Sequence, residues 1–353
     1  MPTDFWSEAI AELKNTKPDI FMLAEGDGTQ YPGAGFDMTY GWGLYGFGAG
    51  ILINIANGTN NANFINGYNT LENTNYPPPH YRMYFTSNHD ENSWEGTVYE
   101  LFGNAAESFA VLTCTFRSMP LIYSGQEAGL NHRLAFFDKD QITWQPHPFA
   151  QMYKTLFHLK RKNKALWNGD AGGQLQRVLT TDNPSVFAFV RQKDDSKIFE
   201  VLNLTNQEKT FTLQGNLFTG YYRNAFTNDS VMFSENAEMT LPAWSYRLYE
   251  VGSGITGVDD QSSLLPEDFI LYQNYPNPFN PSTTISFSIP ETGLVNLSVY
   301  NLLGEKAGEV VNKELAAGIY DFTYDASGLS SGVYFYTLKT KDYIASKKML
   351  LLK

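Results

Sequence analysis

The sequence predicts an α/β region followed by all-β regions, on three observations. Up to about residue 170, short β-branched or aromatic runs alternate with helical patterns. From about Gln174 to Val251, apolar and polar residues alternate with period two, and the same period returns from about Pro266 to Lys353. Strands separated by helix-length segments imply parallel βα units, whereas unbroken period-two runs imply antiparallel sheets with one buried face.

The elements follow in order. Phe5, Ala9, Ile10 and Leu13 fall at helical spacing behind Pro2, which suits a first helical turn. Four strand-like runs come next: Ile20–Ala24, Phe36–Thr39, Met83–Thr86 and Leu121–Tyr123. Helical patterns lie among them, notably Glu107–Arg117 and Phe149–Lys164. In parallel sheets of this kind the chemistry gathers at the carboxyl ends of the strands. Between about 171 and 251, LQRVLTT, VFAFVRQ, KIFEVLNL, KTFTLQG and SYRLYEV predict a small β-sandwich. GSGITGVDDQSS, within residues 252–265, has no apolar periodicity and predicts a linker. Residues 266–353 predict a second β-sandwich. It opens on YPNPFNP, whose prolines fix φ and remove backbone donors, as suits an extended sheet edge.

Composition narrows the function. The 353 residues carry 25 basic and 37 acidic side chains, a formal charge of −12. Such a chain lacks the electrostatic footprint of a nucleic-acid binder and is repelled by anionic membranes. Aromatic residues reach 15%, which leaves neutral, hydroxyl-rich ligands that stack on rings fully open. One cysteine, Cys114, excludes an intramolecular disulfide and a thiolate zinc site. The apolar runs are too short for a transmembrane segment. The first residues have neither the basic stretch nor the apolar core of a signal peptide, and a chain opening directly on a helix pattern is expected to be incomplete.

Polar residues close three of the strand-like runs: Glu25 after DIFMLA, His89 and Asp90 after RMYFTSN, and Gln126 and Glu127 after MPLIYSG. Facing one cleft, they would make a carbohydrate site. Trp42, Tyr45, Tyr76 and Trp94 follow predicted strand ends and are candidates for stacking on sugars; each could equally be a core or loop-packing residue. No metal site is expected. His80, His132, His147 and His158 lack ligand spacing and are read as surface or packing residues, and Cys114 as a small core residue.

LAEGD, FTSNHDE, GFDMTYGW, PLIYSGQE and LNHRLAFFDKDQITW together resemble the α-amylase family, glycoside hydrolase family 13. The resemblance implies the C-terminal half of a (β/α)8 TIM barrel, strands 5–8, over residues 1–170, with the usual appended β domain over 171–251. It implies Glu25 as general acid, Asp90 as the transition-state-stabilising carboxylate, His89 as a hydroxyl ligand, and α-glucan as substrate in a retaining mechanism. A glutamic acid in that role needs partial desolvation or a neighbouring carboxylate; Glu25 leaves an apolar strand and Asp90 would supply the negative charge. The family's nucleophilic Asp, in a GxRxD segment, has no counterpart in this sequence. Asp4, Asp27 and Asp37 lie on the wrong side of the motif to replace it; Asp4 is read as an early-helix acid favoured by the dipole, Asp37 as a strand-end polar group. The chain alone is therefore expected to be inactive, with two open parallel sheet edges. Calcium is possible only in a complete enzyme. The alternative is a non-catalytic cell-surface glucan-binding protein, and transglycosylation would use the same residues.

LYQNYPNPFNPSTTISFSIP, VYNLLGE, AAGIYDFTYDASGLSSGVYFYTL and KKMLLLK resemble a type A sorting domain of the type IX secretion system. The resemblance implies an immunoglobulin-like β domain over 266–353, the type IX machinery as partner, and a secreted or outer-membrane-surface location. Lys347, Lys348 and Lys353 would blunt an edge strand.

Overall fold

The computed structural model describes residues 2–46, 50–76, 78–117, 119–251, 269–274 and 276–353. Contacts divide the chain into two compact units, Met1–Ser253 and Gly254–Lys353. The linker expected at 252–265 lies outside the described residues.

The first unit opens with α1 (Thr3–Thr16), whose first turn carries Asp4 and whose last carries Lys14, both favourable to the helix dipole. Four short strands follow: β1 (Leu23–Ala24), β2 (Met38–Tyr40), β3 (Tyr81–Tyr84) and β4 (Met119–Pro120). They pair in parallel in the order β1-β2-β3-β4, which is the sequential order of barrel strands. Between and after them lie α2 (Trp42–Tyr45), α3 (Ile51–Ala56), α4 (Ala62–Asn75), α5 (His89–Trp94), α6 (Val98–Phe102), α7 (Ala106–Thr115) and α8 (Pro148–Lys162). Helix α8 starts where sequence rules place it. Pro148 occupies the first turn, the His147 ring accepts from Phe149 N, and Lys160, Arg161 and Lys162 close the last turn.

The strands are offset from the apolar runs: β1 takes only the end of Ile20–Ala24, β2 and β3 overlap theirs with a shift of one or two residues, and β4 lies just before Leu121–Tyr123. Strand β1 leaves one edge of the sheet unpaired among the described residues, and β4 the other. Phe21 and Leu23 stand exposed beside the β1 edge, as expected of a sheet that stops at four strands. Asp37 ties this edge to α1: its carboxylate accepts from Met22 N at 2.7 Å and from Lys14 Nζ at 3.0 Å.

The second half of this unit is one antiparallel sheet of eight strands, ordered β10-β9-β12-β7-β6-β5-β8-β11. The strands are β5 (Leu175–Thr180), β6 (Val186–Lys193), β7 (Ser196–Asn203), β8 (Lys209–Gln214), β9 (Gly220–Asn224), β10 (Ser230–Phe233), β11 (Glu238–Leu241) and β12 (Tyr246–Val251). The expected two-layer sandwich is thus a single sheet folded over its own core. Strand β5 makes the turn, pairing with β6 through Leu175–Val178 and with β8 through Leu179–Thr180. Val178, Val190, Phe199, Phe211 and Tyr249 fill the space inside the fold.

The outer face of β6 and β7 packs on the helices. Phe187, Phe189, Ile198 and Leu202 join Phe109, Leu112 and Leu156 in one core. Residue 170 therefore marks a change of architecture within one compact unit. Arg191, wholly buried, fastens the seam: its guanidinium donates to the Gly173, Thr115 and Trp167 carbonyls at 2.9–3.0 Å.

The second unit holds two antiparallel sheets, ordered β13-β14-β17 and β16-β15-β18-β19. Their strands are β13 (Ile270–Leu271), β14 (Ser282–Ile289), β15 (Gly293–Tyr300), β16 (Lys306–Leu315), β17 (Gly318–Asp325), β18 (Gly332–Lys339) and β19 (Ile344–Leu351). Ile285, Phe287, Leu297, Val299, Tyr336 and Leu351 form the core between them. The asparagine–proline segment serves as the expected extended edge. Phe279 bonds backbone to backbone with Leu350 and Leu352, and the Asn277 side chain accepts from Leu350 N, which covers the outer side of β19.

Candidate functional site

The carboxyl ends of β1 and β3 bring the acidic motifs together. Glu25 directly follows β1. His89 and Asp90 occupy the first turn of α5, and Asn88 sets that turn by accepting from Asp90 N at 3.0 Å and Glu91 N at 2.8 Å. The asparagine of the NHD motif is therefore the helix cap that aims its two neighbours. His89 Nε2 lies 3.6 Å from Glu25 Oε1 and 3.6 Å from Asp90 Oδ1.

Glu25 and Asp90 border an open cleft of about 660 Å³. Glu25 and Asp27 line it from the loop after β1, Trp42 and Gly43 from α2, and Asp90, Glu91, Trp94 and Glu95 from α5 and the residue that caps it. Of the two settings expected for Glu25, burial contributes little, since its side chain is 52% exposed, while the Asp90 carboxylate stands beside it across His89. Burial holds the neighbouring Glu91 carboxyl above its ordinary range. Burial, reinforced by the charges of Glu25 and Asp90, likewise raises the Tyr40 phenol.

Beneath the cleft runs a closed ionic network. Arg82 is buried and grips Glu72 with Nε at 2.7 Å and Nη2 at 3.1 Å. It also donates to Thr39 and Asp27. Tyr84 donates to Glu72 at 2.9 Å, and Gly43 N to Asp27 at 3.2 Å. Asp27, two residues after Glu25, thereby ties the Glu25 loop to the sheet and to α2. Sequence reasoning gave Asp27 no role; its spacing from Glu25 was the available signal, but its partner Arg82 is brought in only by the fold.

Not every candidate reaches the cleft. Trp42 and Trp94 line it. Tyr45 is 1% exposed, its ring stacked on Phe85, so it is a core residue and not a sugar platform. Tyr76 is also buried: its hydroxyl donates to the Asp27 carbonyl at 2.6 Å, and the Arg82 guanidinium covers its ring at 3.7 Å. A place after a predicted strand end could not tell an inward from a cleft-facing ring. Gln126 does not face the cleft; it is buried, donates to Thr86 at 2.9 Å and accepts from Tyr123 N at 2.8 Å, tethering the ends of β3 and β4. Glu127 caps its own loop through Gly125 N. His80 packs against Thr39, its basicity lowered to about 4 by burial and Arg82. Cys114 is buried, its thiol pushed up to about 12.

Among the described residues, Glu25, His89 and Asp90 are the group whose ligand atoms could converge on a metal ion, all lying within 4.8 Å of one another. One imidazole and two half-exposed carboxylates do not fit calcium, which takes six to eight oxygen ligands.

Comparison with known proteins agrees with this architecture. Residues 176–248 match the family described as maltogenic amylase, C-terminal domain, and residues 273–352 match the secretion system C-terminal sorting domain. The fold resembles a maltogenic α-amylase from Thermotoga neapolitana at TM-score 0.60 and 20% identity, covering 71% of this chain and 59% of that one. It resembles an α-amylase from Lactobacillus plantarum at TM-score 0.57 and 20% identity, covering 71% and 60%. A γ-cyclodextrin glucanotransferase from an alkalophilic Bacillus clarkii aligns over 100% of this chain and 52% of its own length, at TM-score 0.56 and 16% identity. No curated protein matches the chain.

The chain thus carries the fold of α-amylases over a little more than half their length, an amylase-type C-terminal β domain and a sorting domain. The sorting domain marks it for secretion through the type IX system, to the cell surface or beyond. No described helix is long and apolar enough to cross a membrane.

Proposed function

We propose that residues 1–170 of the first unit are the C-terminal half of an α-glucan-acting (β/α)8 barrel, with Glu25 as general acid/base, Asp90 as transition-state stabiliser and His89 as a ligand for sugar hydroxyls. The observation that carries the reading is the convergence of these three side chains at the carboxyl ends of parallel strands, with His89 3.6 Å from each carboxylate. Glu25 would protonate the glycosidic oxygen as the bond breaks, and then deprotonate the incoming water or hydroxyl. Asp90 would hold ring hydroxyls through the oxocarbenium-like transition state. A retaining mechanism also needs a nucleophilic carboxylate about 5–5.5 Å from the acid. The sequence holds no GxRxD segment to supply it. We assign that carboxylate, and the strands that would pair with the open β1 edge, to residues outside this sequence. A calcium ion of the complete enzyme would belong with them.

The second unit is assigned as an immunoglobulin-like sorting domain with the type IX machinery as partner; its seven strands in two antiparallel sheets support the reading. We assign residues 1–170 to the barrel half and 171–251 to the β domain, with a linker at 252–265.

The half-exposed Glu25 favours a second reading, a surface protein that binds glucan without cleaving it. One experiment addresses both: reducing-sugar release from maltodextrin by the isolated chain and by the native secreted protein. Turnover by the native protein but not by the isolated chain is expected. Turnover by the isolated chain would overturn the external nucleophile, and turnover by neither would favour the binding protein. In a complete enzyme, Trp94→Ala is expected to raise KM about tenfold, and an unchanged KM would remove Trp94 from the substrate path.

A further inference from the structure

A second, much smaller cavity, of about 20 Å³, lies where β3 begins, at the amino end of the strand and away from the acid cluster. His80 and Arg82 line it from the start of β3, Arg117 from the turn after α7, and Gly169, Gly173 and Gln174 from the segment leading into β5. The glycines allow the chain to close tightly around it. A Cβ at Gly169 would meet the Tyr81 ring at 2.6 Å, and one at Gly173 the Gln192 backbone at 2.5 Å. A water-sized sphere needs about 10–15 Å³, so the cavity takes a water or a monatomic ion and no larger group. Gln174 is the exposed member of the lining and gives it a way to solvent.

The charge around this cavity is one-sided. Arg82 is neutralised by Glu72 and Asp27. Arg117 has no such partner: its Nη1 is buried and meets no hydrogen-bonding group among the described residues. Behind Gly173, the buried Arg191 guanidinium donates to the Gly173, Thr115 and Trp167 carbonyls, which carry no full charge. Burial, and then the charge of Arg117, lowers Arg191 to about 9. Glu200 brings no charge near neutral pH, since burial pushes its carboxyl up to about 8. Burial and Arg82 lower His80 to about 4, so its ring is neutral there too. Asp170, beside Gly169, stands exposed in water. An arginine keeps its proton, and sheltered charge without a counter-charge is strongly unfavourable.

We propose that this cavity binds a monatomic anion of the size of chloride, held by Arg117 and Gln174 and by the charge of Arg191 behind Gly173. A water there would supply a hydrogen bond but no compensating charge, whereas a halide supplies both. The ion joins the approach to β3, the turn after α7 and the segment entering β5, so its binding fastens the barrel strands to the β domain. The site is independent of the glucan-acting reading and shares no residue with the strand-end cleft.

The test is a titration of the full chain with sodium chloride, followed by broadening of the chloride magnetic resonance line. Sodium gluconate holds the ionic strength constant. The wild type is compared with Arg117→Gln, which removes the sheltered charge, and with Gln174→Glu, which keeps the shape of an exposed side chain and puts a carboxylate where the ion would sit. Melting curves in gluconate establish that each variant is folded; if Arg117→Gln is not, Gln174→Glu decides alone. The wild type is expected to broaden the line saturably and to melt about 2–4 °C higher in chloride than in gluconate. Both variants are expected to bind chloride about tenfold more weakly, and Gln174→Glu to melt above the wild type in gluconate. Equal saturable broadening by all three chains would place chloride on surface cations and overturn the site. Absence of saturable broadening by the wild type would overturn it outright. Loss in one of two folded variants, with the other unmoved, would also overturn it.

Discussion

Two sets of ionisable groups in the first unit are treated in opposite ways. At the strand ends, Glu25, His89 and Asp90 stand about half exposed, with 3.6 Å between His89 and each carboxylate. Beneath the cleft and in the seam, Arg82, Arg191 and Glu200 are sealed from water. Arg82 and Arg191 have their hydrogen bonds supplied by protein, so their task is to hold the chain together. The strand-end groups are left reachable, and a ligand would complete their coordination. Glu200 is the exception within the closed set. It is wholly buried, and burial outweighs what the adjacent Thr115 hydroxyl and the Arg191 charge offer its carboxylate.

The sharpest way to break the contrast is to remove one partner of a sealed pair. Glu72→Ala would leave the Arg82 guanidinium buried without its two-point carboxylate. A loss of about 3–5 kcal/mol is expected in denaturant unfolding, whereas Glu25→Gln should fall within about 0.5 kcal/mol of the wild type. Similar losses for both would erase the distinction.

Glu200 sharpens it through pH. Burial pushes its carboxyl up to about 8, so the folded state holds a proton that the unfolded chain releases near the ordinary glutamate value of about 4.3. Between these values the folded state binds more protons, and stability must fall as pH rises, by up to about 1.4 kcal/mol per pH unit. Lys160 acts in the opposite sense in a higher window. Burial lowers it to about 7, so its contribution is restored as pH rises from there toward its unfolded value of about 10.4. Glu200→Gln is expected to flatten the decline between pH 5 and 8 in a series of urea titrations; an unchanged slope would place the responsible proton elsewhere.

Smaller effects belong to the open set. Asn88→Ala removes the cap of α5 and is expected to cost about 1 kcal/mol, while weakening glucan binding because His89 and Asp90 lose their fixed turn. Phe137→Ala, on an exposed ring, is expected to change stability by less than about 0.5 kcal/mol. A large loss there would mean that the ring is structural.

The sequence was informative where pattern and local chemistry coincide. The helices at α1, α7 and α8 follow apolar periodicity and end residues, and the four parallel strands fall in or beside their apolar runs. The convergence of Glu25, His89 and Asp90 was legible because strand-end motifs put polar groups at the carboxyl ends of the strands. Tyr45 and Tyr76 were not, since a place after a strand end serves an inward or an outward ring alike and only packing on Phe85 or Arg82 decides. The Arg82 network was hidden because its members, Asp27, Thr39 and Glu72, are distant in sequence. Folding one eight-stranded sheet over itself was hidden too, since period-two alternation reads the same in one bent sheet as in two stacked ones.

The most direct test of the central claim is the affinity of the full chain for maltoheptaose in the wild type, Asp90→Asn and Glu200→Gln, at a pH where all three are folded. If the strand-end cluster is the glucan site, Asp90→Asn should weaken binding about tenfold and Glu200→Gln should leave it unchanged. Equal affinities in all three, or no binding at all, would contradict it.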